Sequence, residues 1–336
     1  MRYSRQELFA PIGRAGQARI GEARVLVAGC GGLGSNAAAL LARAGVALLR
    51  IVDRDLVELS NLQRQTLFEE ADAREGAPKA TAAARRLAAV NSEVRVEPVV
   101  ADVGPDNVLA LLDGVDLVLD GFDNFEARYV LNDACAKRRL PWVAGACVGA
   151  TVTAQLIVPG ETPCLRCLHR ELPRPGAAET CDTAGIIGPA AVLGAALQAS
   201  LALRFLVEGG PPAEASLYCA DAWNLSLDRL PLPARTPGCP CCGEGRYEYL
   251  EGRARTTTAL CGRDAVQVRS LSGGRPDLAA LAGRLGAVGT VKVNDLLLRL
   301  TAPPYELTVF DDGRVIVKGT SDEALARSLV ARWVGV

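Results

Sequence analysis

This chain of 336 residues contains one histidine and few aromatic side chains, and neither sign of charge is in clear excess. Because His169 is the only histidine in the sequence, most mechanisms that need an imidazole base are excluded. Aromatic residues make up 4% of the chain, so we do not expect stacking platforms for single-stranded nucleic acid. The 37 lysines and arginines are balanced by 38 aspartates and glutamates, so no net field attracts nucleic acid or a membrane. Any site for an anion must therefore be local.

The N-terminal segment lacks the apolar core of a secretory signal, because residues 1–6 are polar and charged. We therefore expect a cytoplasmic protein. Eleven cysteines in that compartment predict reduced thiols, metal ligands or a reactive thiol rather than a disulfide scaffold.

One uncharged stretch, 185–203, is long enough to span a bilayer. It is rich in alanine and contains Pro189, Gln198 and Ser200, which favours a buried core helix.

Strands and helices alternate over most of the chain. Short apolar runs predict strands at 24–28, 48–53, 94–100, 115–120, 142–147 and 151–158. Helical patterns lie between them at 35–44, 78–90 and 124–137. This alternation predicts an α/β fold with a doubly wound, Rossmann-like and mainly parallel sheet that has antiparallel edge strands. A break rich in Pro, Gly and Cys at 231–245 predicts two domains, 1–245 and a small C-terminal α+β unit at 246–336.

A glycine-rich turn at 29–34, with the sequence Gly-Cys-Gly-Gly-Leu-Gly, follows the first predicted strand and opens a helix. Asp53 ends the next strand. Such a turn lets backbone N–H groups approach a phosphate at the N-terminus of a helix, and the acid can accept a bond from a ribose hydroxyl. This motif alone points to NAD or FAD at least as strongly as to ATP. A tight turn that only packs helix on strand is the structural alternative.

Two features after Asp53 favour a triphosphate over a dinucleotide. Amides and a guanidinium are concentrated in a polar segment whose candidate phosphate-binding residues are Ser60, Asn61, Arg64 and Gln65. Lys79 lies in the first turn of a predicted helix, where the helix dipole disfavours a cation unless an anion binds there. The alternatives are a solvated loop for 60–65 and a solvent-facing side chain for Lys79.

A third feature is the pair Asp123 and Asn124, which follows the strand predicted at 115–120. The carboxyl ends of parallel strands form one edge of the sheet, where ligands of open α/β sheets bind. A carboxylate at that edge suits Mg²⁺ that bridges phosphates. Asp123 is also placed to cap the following helix, and both roles can hold at once.

Two Cys-x-x-Cys pairs, separated by a long stretch of chain, predict a tetrahedral zinc site. The expected ligands are Cys164, Cys167, Cys239 and Cys242. Cys241 lies inside the second pair and competes as a ligand, while two unconnected thiol clusters are the alternative.

Cys181 differs from these because it lies between a loop and the long apolar stretch. A position near the N-terminus of a helix would make it a reactive thiol. The alternative is a free thiol without a role.

Taken in order along the chain, these motifs resemble the ThiF/MoeB/HesA family, bacterial relatives of the ubiquitin-activating enzymes. The matching segments are 2–6, 29–34, 59–65, 78–79 and 120–124. The resemblance implies Mg-ATP-dependent adenylylation of the C-terminal Gly carboxylate of a small ubiquitin-like sulfur carrier protein. It also implies a homodimer in which Arg5 reaches the nucleotide of the partner subunit.

The resemblance further assigns roles to single residues. It implies that a glycine cradle and two polar segments bind the nucleotide: Gly31, Gly32, Gly34, Ser60, Asn61, Arg64, Gln65 and Asn124. It implies that Asp53 holds the ribose, Lys79 the phosphates and Asp123 the metal. Zinc is implied at the cysteine pairs, and Cys181 is implied as a residue that can link covalently to the carrier during sulfur transfer.

The implied chemistry agrees with the scarcity of histidine. A carboxylate is ionised at neutral pH and can attack the α-phosphate of ATP without a general base. Catalysis then needs orientation and positive charge on the phosphates rather than proton transfer.

The expected carrier is ThiS, of thiamine thiazole synthesis, with MoaD, of molybdopterin synthesis, as the alternative. A sulfurtransferase or a cysteine desulfurase is an expected further partner. An NAD-linked oxidoreductase and a catalytically silent zinc scaffold are more distant alternatives. We expect the C-terminal unit to have a docking or structural role.

Overall fold

The computed structural model of this chain describes residues 2–123, 125–170, 184–251, 257–260, 264–269 and 276–334. The chain divides into two compact units, Met1–Arg253 and Ala254–Val336. The domain boundary expected after residue 245 stays a prediction.

The larger unit is a sheet covered by helices. Its strands are β1 (Arg24–Ala28), β2 (Leu48–Val52), β3 (Arg95–Val99), β4 (Leu117–Asp120), β5 (Trp142–Val148), β6 (Thr151–Ile157), β7 (Ser216–Asp221) and β8 (Ser226–Pro231). Its described helices are α1 (Ser4–Glu7), α2 (Gly13–Glu22), α3 (Gly32–Ala44), α4 (Glu70–Glu75), α5 (Lys79–Val90), α6 (Val108–Leu111), α7 (Phe125–Arg138), α8 (Leu165–Leu168) and α9 (Gly188–Glu208).

The strands of this sheet follow the order β3-β2-β1-β4-β5-β6-β7-β8. The pairs from β3 to β5 are parallel, and the pairs from β5 to β8 are antiparallel. The predicted doubly wound, mainly parallel sheet with antiparallel edge strands is therefore confirmed. The hairpin of β7 and β8 was not predicted, because β8 is exposed along its whole length and has no alternation of apolar and polar residues.

The central strands of the sheet are buried on both faces, to which alternate residues of each strand point. In β1, Val25 and Val27 belong to the core under α3, α5 and α9. Leu26 and Ala28 belong to the opposite core under α6 and α7. Burial on both faces explains why the central strands are continuous apolar runs.

Helix α9 comes from the long uncharged stretch. Among the described helices it alone is long and apolar enough to cross a membrane, by length and composition. A core helix has the same composition, and here α9 packs on α3, β5 and β6. Its Ala191 and Ala195 are fully buried in these contacts. This packing agrees with the predicted core helix.

The smaller unit is a second, antiparallel sheet. Its strands are β9 (Thr257–Leu260), β10 (Ala265–Arg269), β11 (Thr290–Val293), β12 (Leu297–Ala302), β13 (Tyr305–Phe310) and β14 (Arg314–Lys318), and its described helices are α10 (Leu278–Leu285) and α11 (Glu323–Trp333). The strand order is β11-β12-β13-β14-β10-β9. Leu281 and Val330 of the two helices share a core with Val309 and Val317 of the sheet. The predicted α+β character of this unit is thus confirmed.

Candidate active site

The glycine-rich turn lies where the strand order reverses, because β1 has β2 on one side and β4 on the other. Gly29 has a φ of +93°, and a Cβ there would lie 2.7 Å from the carbonyl oxygen of Gly121, which follows β4. A side chain on Gly34 would collide with the carbonyl oxygen of Gly29. Only glycine fits these positions, and α3 then begins at Gly32 with its free N–H groups at the crevice.

Asp53 follows β2 at the same edge and is buried. Its Oδ2 accepts a 2.5 Å bond from the N–H of Cys30, and its Oδ1 accepts a 2.7 Å bond from the N–H of Asp55. Burial raises the pKa of the Asp53 carboxyl, and the charge of Lys79 opposes that rise. Asp53 therefore ties the end of β2 to the glycine-rich turn.

Lys79 is the first residue of α5, and its side chain is only 3% exposed. Its Nζ lies 2.9 Å from Oδ2 of Asp55, and its N–H donates to the carbonyl oxygen of Asp55 at 2.9 Å. The solvent-facing alternative for Lys79 is therefore wrong. Asp55 was missed in the sequence, although the acidic pair around Arg54 was a signal.

A second cation, Arg54, contacts the same carboxylate as Lys79, since its Nε lies 3.7 Å from Oδ1 of Asp55. Its Nη1 bonds Oδ1 of Asp102 at 3.1 Å. Burial acts to lower the pKa of Arg54, but the charges of Asp102, Asp55 and Asp123 outweigh it and raise that pKa. The carboxyl edge of the sheet therefore gathers two cations among several carboxylates, and Asp123 itself is exposed.

The predicted polar segment lies over the glycine-rich turn. The methylene carbons of Arg64 come within 3.7 Å of the position that a Cβ of Gly32 would take, and its Nη1 donates to the carbonyl oxygen of Ser60 at 2.9 Å. Asn61 is 2% exposed, and its Oδ1 accepts from the N–H of Glu58. Gln65 is equally buried, and its Oε1 has no hydrogen-bond partner in the described part of the chain.

Arg5 lies on α1, is exposed, and is not brought together with these residues. The ring of Tyr3 packs on Gly45, and Gln6 Nε2 bonds the carbonyl oxygen of Ala44 at 3.1 Å, so α1 is attached to the last residues of α3. The glycine-rich turn is at the other end of that helix, about 20 Å away for thirteen residues. Two predicted site residues, Asn124 and Cys181, lie outside the described residues.

The four predicted metal ligands converge next to α7: Cys164, Cys167, Cys239 and Cys242 have Sγ atoms within 4.8 Å of one another. The Sγ–Sγ distances of 3.6 Å (Cys164–Cys239) and 3.4 Å (Cys167–Cys242) are close to the separation of about 3.8 Å that a tetrahedral ion with Zn–S bonds of 2.3 Å requires. The donor set therefore fits a metal ion such as zinc. Cys241 is outside this group, and its Sγ accepts from Asn132 Nδ2 at 3.3 Å.

Comparison with known proteins agrees with this geometry. The ThiF family matches residues 3–241. The chain belongs to the ThiF family. This confirms the resemblance stated from the sequence motifs, and with it the predicted enzyme class of an adenylyltransferase.

Relatives of this ThiF-family chain differ in how much of it they cover. The sulfur carrier protein ThiS adenylyltransferase of Bacillus subtilis is 43% identical over 337 residues, which covers 99% of each chain. The SAMP-activating enzyme E1 of Haloferax volcanii is 40% identical over 74% of this chain and 91% of its own. The molybdopterin-synthase adenylyltransferase of Salmonella typhimurium is 38% identical over 73% of this chain and 96% of its own.

Solved structures share the fold. The crystal structure of E. coli MccB with ATP superposes with a TM-score of 0.62 at 23% identity, covering 72% of this chain and 75% of that one. At this identity the likeness supports the architecture alone.

Proposed function

We propose that this chain adenylylates the C-terminal Gly-Gly carboxylate of the sulfur carrier ThiS, using ATP, in thiamine thiazole biosynthesis. The observation that supports ThiS is coverage. The ThiS adenylyltransferase of Bacillus subtilis matches 99% of this chain, whereas the molybdopterin-synthase adenylyltransferase of Salmonella typhimurium matches 73%. The C-terminal unit is therefore shared with the ThiS enzyme. Adenylylation of MoaD is the second candidate.

ATP fits the crevice between β1 and β4. Gly31 and Gly32 leave room for phosphates beside the free N–H groups of α3, Gly34 lets α3 pack closely on Gly29, and Asp53 follows the strand where a ribose binds in such folds. The polar residues assigned to the nucleotide are Ser60, Asn61, Arg64, Gln65, Lys79 and Asn124. The unpartnered Oε1 of Gln65 and the buried ammonium of Lys79 are the polar atoms that agree best with a bound ligand.

The proposed reaction needs little proton transfer. An oxygen of the carrier carboxylate attacks the α-phosphorus, the new acyl–phosphate bond forms, the bond from that phosphorus to the β-phosphate oxygen breaks, and pyrophosphate leaves. Arg64 and Lys79 orient and neutralise the phosphates. Asp123 would hold Mg²⁺, which supplies further positive charge to the phosphates when bound. A nicotinamide reaction has no comparable need for these cations.

Zinc is the metal we assign to the four cysteines, in a structural role. The four cysteines would fill every ligand position of a tetrahedral ion, so no position would stay open for a substrate. The active form is proposed to be a homodimer in the cytoplasm. The attachment of α1 to the end of α3 supports a role for Arg5 at the nucleotide of the partner subunit, since its own crevice is too far away.

Cys181 is proposed to take part after adenylylation, when its thiolate attacks the activated acyl group of the carrier and AMP leaves. A sulfurtransferase or a cysteine desulfurase would then supply the sulfur.

ATP–pyrophosphate exchange tests the proposed function. Purified chain, Mg-ATP and labelled pyrophosphate are incubated with ThiS, with MoaD, or without a carrier. We expect exchange with ThiS that exceeds the exchange with MoaD. A ThiS truncated before its last two glycines is the matched control and should give none. Exchange with MoaD alone favours the second candidate, and exchange with neither carrier contradicts the proposal.

A further inference from the structure

A buried ion pair lies beside the proposed metal site and has no assigned role. Arg128, the fourth residue of α7, donates from Nε to Oδ2 of Asp120 at 2.6 Å. The side chain of Arg128 is 10% exposed and that of Asp120 is fully buried. Asp120 is the last residue of β4, so this pair lies at the carboxyl edge of the sheet where the nucleotide is proposed to bind.

The same guanidinium also bonds two main-chain oxygens. Its Nη2 donates to the carbonyl oxygen of Phe122 at 2.9 Å and to that of Gly145, on β5, at 2.8 Å. Asp120 in turn accepts from the N–H of Phe122 at 3.0 Å. Arg128 therefore joins the end of β4 and the middle of β5 to the short loop 121–123, whose last residue is Asp123.

This loop is held from its other side as well. A Cβ on Gly121 would lie 2.5 Å from the carbonyl oxygen of Gly29, so the loop is packed directly on the glycine-rich turn. Gln198, from α9, donates to the carbonyl oxygen of Asp120 at 2.7 Å. With the glycine-rich turn on one side and Arg128 on the other, the main chain leading to Asp123 has little freedom.

The stability of the fold is not the main contribution of the ion pair between Arg128 and Asp120. Removing two charges from water costs several kcal/mol per ion, so that replacing a buried ion pair by neutral residues of similar size is often neutral or stabilising. A pair that adds little stability but makes four hydrogen bonds with the main chain of Phe122 and Gly145 serves to fix the position of that main chain. Its charge is neutralised by Asp120, which makes Arg128 a poor ligand for phosphates.

We propose that Arg128 is a positioning residue that, through Asp120 and Phe122, orients Asp123 toward the divalent cation of the bound nucleotide. The inference rests on the proposed function, because Asp123 is assigned to the metal there. Arg128 does not itself touch metal or substrate. Its loss should therefore weaken metal binding more than nucleotide binding.

The experiment uses Mn²⁺ as the probe, measured by electron paramagnetic resonance on the full chain with a non-hydrolysable ATP analogue. The main variant combines Arg128→Met with Asp120→Asn, which removes both buried charges together. Metal affinity should fall about tenfold to a hundredfold, the usual effect of changing a residue that orients a metal ligand. The affinity for the analogue without metal should stay within about twofold of the wild-type value.

A closely matched control exists on the same sheet. Arg50 bonds Glu97 and also donates to the carbonyl oxygens of Leu111 and Asp113, so it makes the same kind of three-way contact at another place. The double variant Arg50→Met with Glu97→Gln should leave Mn²⁺ affinity unchanged. Arg128→Lys, which keeps the charge pair, serves if the first double variant does not fold, and it should also weaken Mn²⁺ binding.

The outcomes separate the two proposals. A folded double variant, or Arg128→Lys, that binds Mn²⁺ as tightly as the wild type overturns the positioning role and leaves the proposed function intact. A wild-type chain that binds no Mn²⁺ together with the analogue contradicts both. An equal loss of affinity in the Arg50 control also overturns the inference, since an ion pair at another place on the sheet would then have the same effect.

Discussion

The ammonium nitrogen of Lys79 lies 2.9 Å from Oδ2 of Asp55, and the two residues also share a main-chain bond. The sequence places a cation at the positive end of the α5 dipole, and the structure provides the anion that compensates for it. In the proposed reaction the phosphates of ATP approach the same ammonium. Asp55 therefore holds the lysine in place.

The first prediction concerns this pair. Asp55→Ala should lower the free energy of unfolding by about 1–3 kcal/mol, because it removes a partner from a buried ammonium. ATP should stabilise the variant more than the wild type, since phosphate oxygens then supply the missing anion. Thermal unfolding with and without ATP measures both effects.

Glu70→Ala is the control, because Glu70 pairs with Arg74 on the exposed surface of α4. This substitution should change neither the free energy of unfolding nor the rise in unfolding temperature that ATP causes. If ATP raises the unfolding temperature of Asp55→Ala by no more than it raises that of the wild type, then phosphate does not replace the missing carboxylate and the prediction is wrong.

Much of the edge where the nucleotide is proposed to bind could be predicted from the sequence. The turn at 29–34, Asp53 and Lys79 are local patterns, and parallel strands bring their ends to one edge whatever the details of packing. Asp55 could not be chosen in advance, because which of two neighbouring acids meets a lysine far along the chain depends on how α5 packs. Arg128 reads in the sequence as an ordinary helix residue, and its burial depends on the loop after β4 and on β5.

The cysteine site was predictable for a different reason. Each Cys-x-x-Cys turn supplies two ligands, and two such turns complete a tetrahedral metal site however far apart they lie in the sequence. The cysteine spacing is therefore enough to predict that Cys164 and Cys239 lie close together. The hairpin of β7 and β8 shows the opposite case. Its outer strand is exposed throughout and lacks the alternation by which strands are recognised.

The second prediction separates metal ligands from other buried thiols. Cys239→Ser should lower the zinc content of the purified protein and its stability, since bound metal contributes about 2.7 kcal/mol when present at a hundredfold excess over its Kd. Cys241→Ser is the matched control, because Cys241 is equally buried but lies outside the ligand group. It should keep one zinc per chain. Metal analysis and chelator-induced unfolding measure the difference, and a loss of zinc in Cys241→Ser alone would reverse the assignment.

The third prediction follows from the attachment of α1. The hydroxyl of Tyr3 bonds Glu93 at 2.9 Å and accepts from Asn91 at 2.9 Å, and burial raises the pKa of Tyr3. The folded state therefore favours the neutral phenol. This contribution is fully present below the ordinary tyrosine pKa of about 10 and is lost as the pH rises through the raised value.

The expected measurement is the difference in free energy of unfolding between wild type and Tyr3→Phe. Near pH 8 the variant should be about 0.5–1.5 kcal/mol less stable, the usual contribution of a hydrogen bond. The difference should shrink as the pH rises above about 10, because only the wild type has a phenol to ionise there. A difference that stays constant up to pH 11 would argue against the neutral phenol as the stabilising form.

The fourth prediction tests whether Arg5 acts on the partner subunit. Arg5→Ala and Lys79→Ala should each lose ThiS-dependent ATP–pyrophosphate exchange. When equal amounts of the two variants are mixed and allowed to exchange subunits, half of the dimers contain one subunit of each variant and are called hybrids here. Each hybrid has one crevice with an intact Lys79 and an Arg5 from its partner, so about a quarter of wild-type exchange should return.

If Arg5 served its own crevice, every site in the hybrid would lack one of the two side chains and no activity would return. Mixing Arg5→Ala with the double variant Arg5→Ala/Lys79→Ala is the matched control, because no combination of those chains restores a site. Recovery in the first mixture and not in the second requires a symmetric dimer with the crevice completed across its interface.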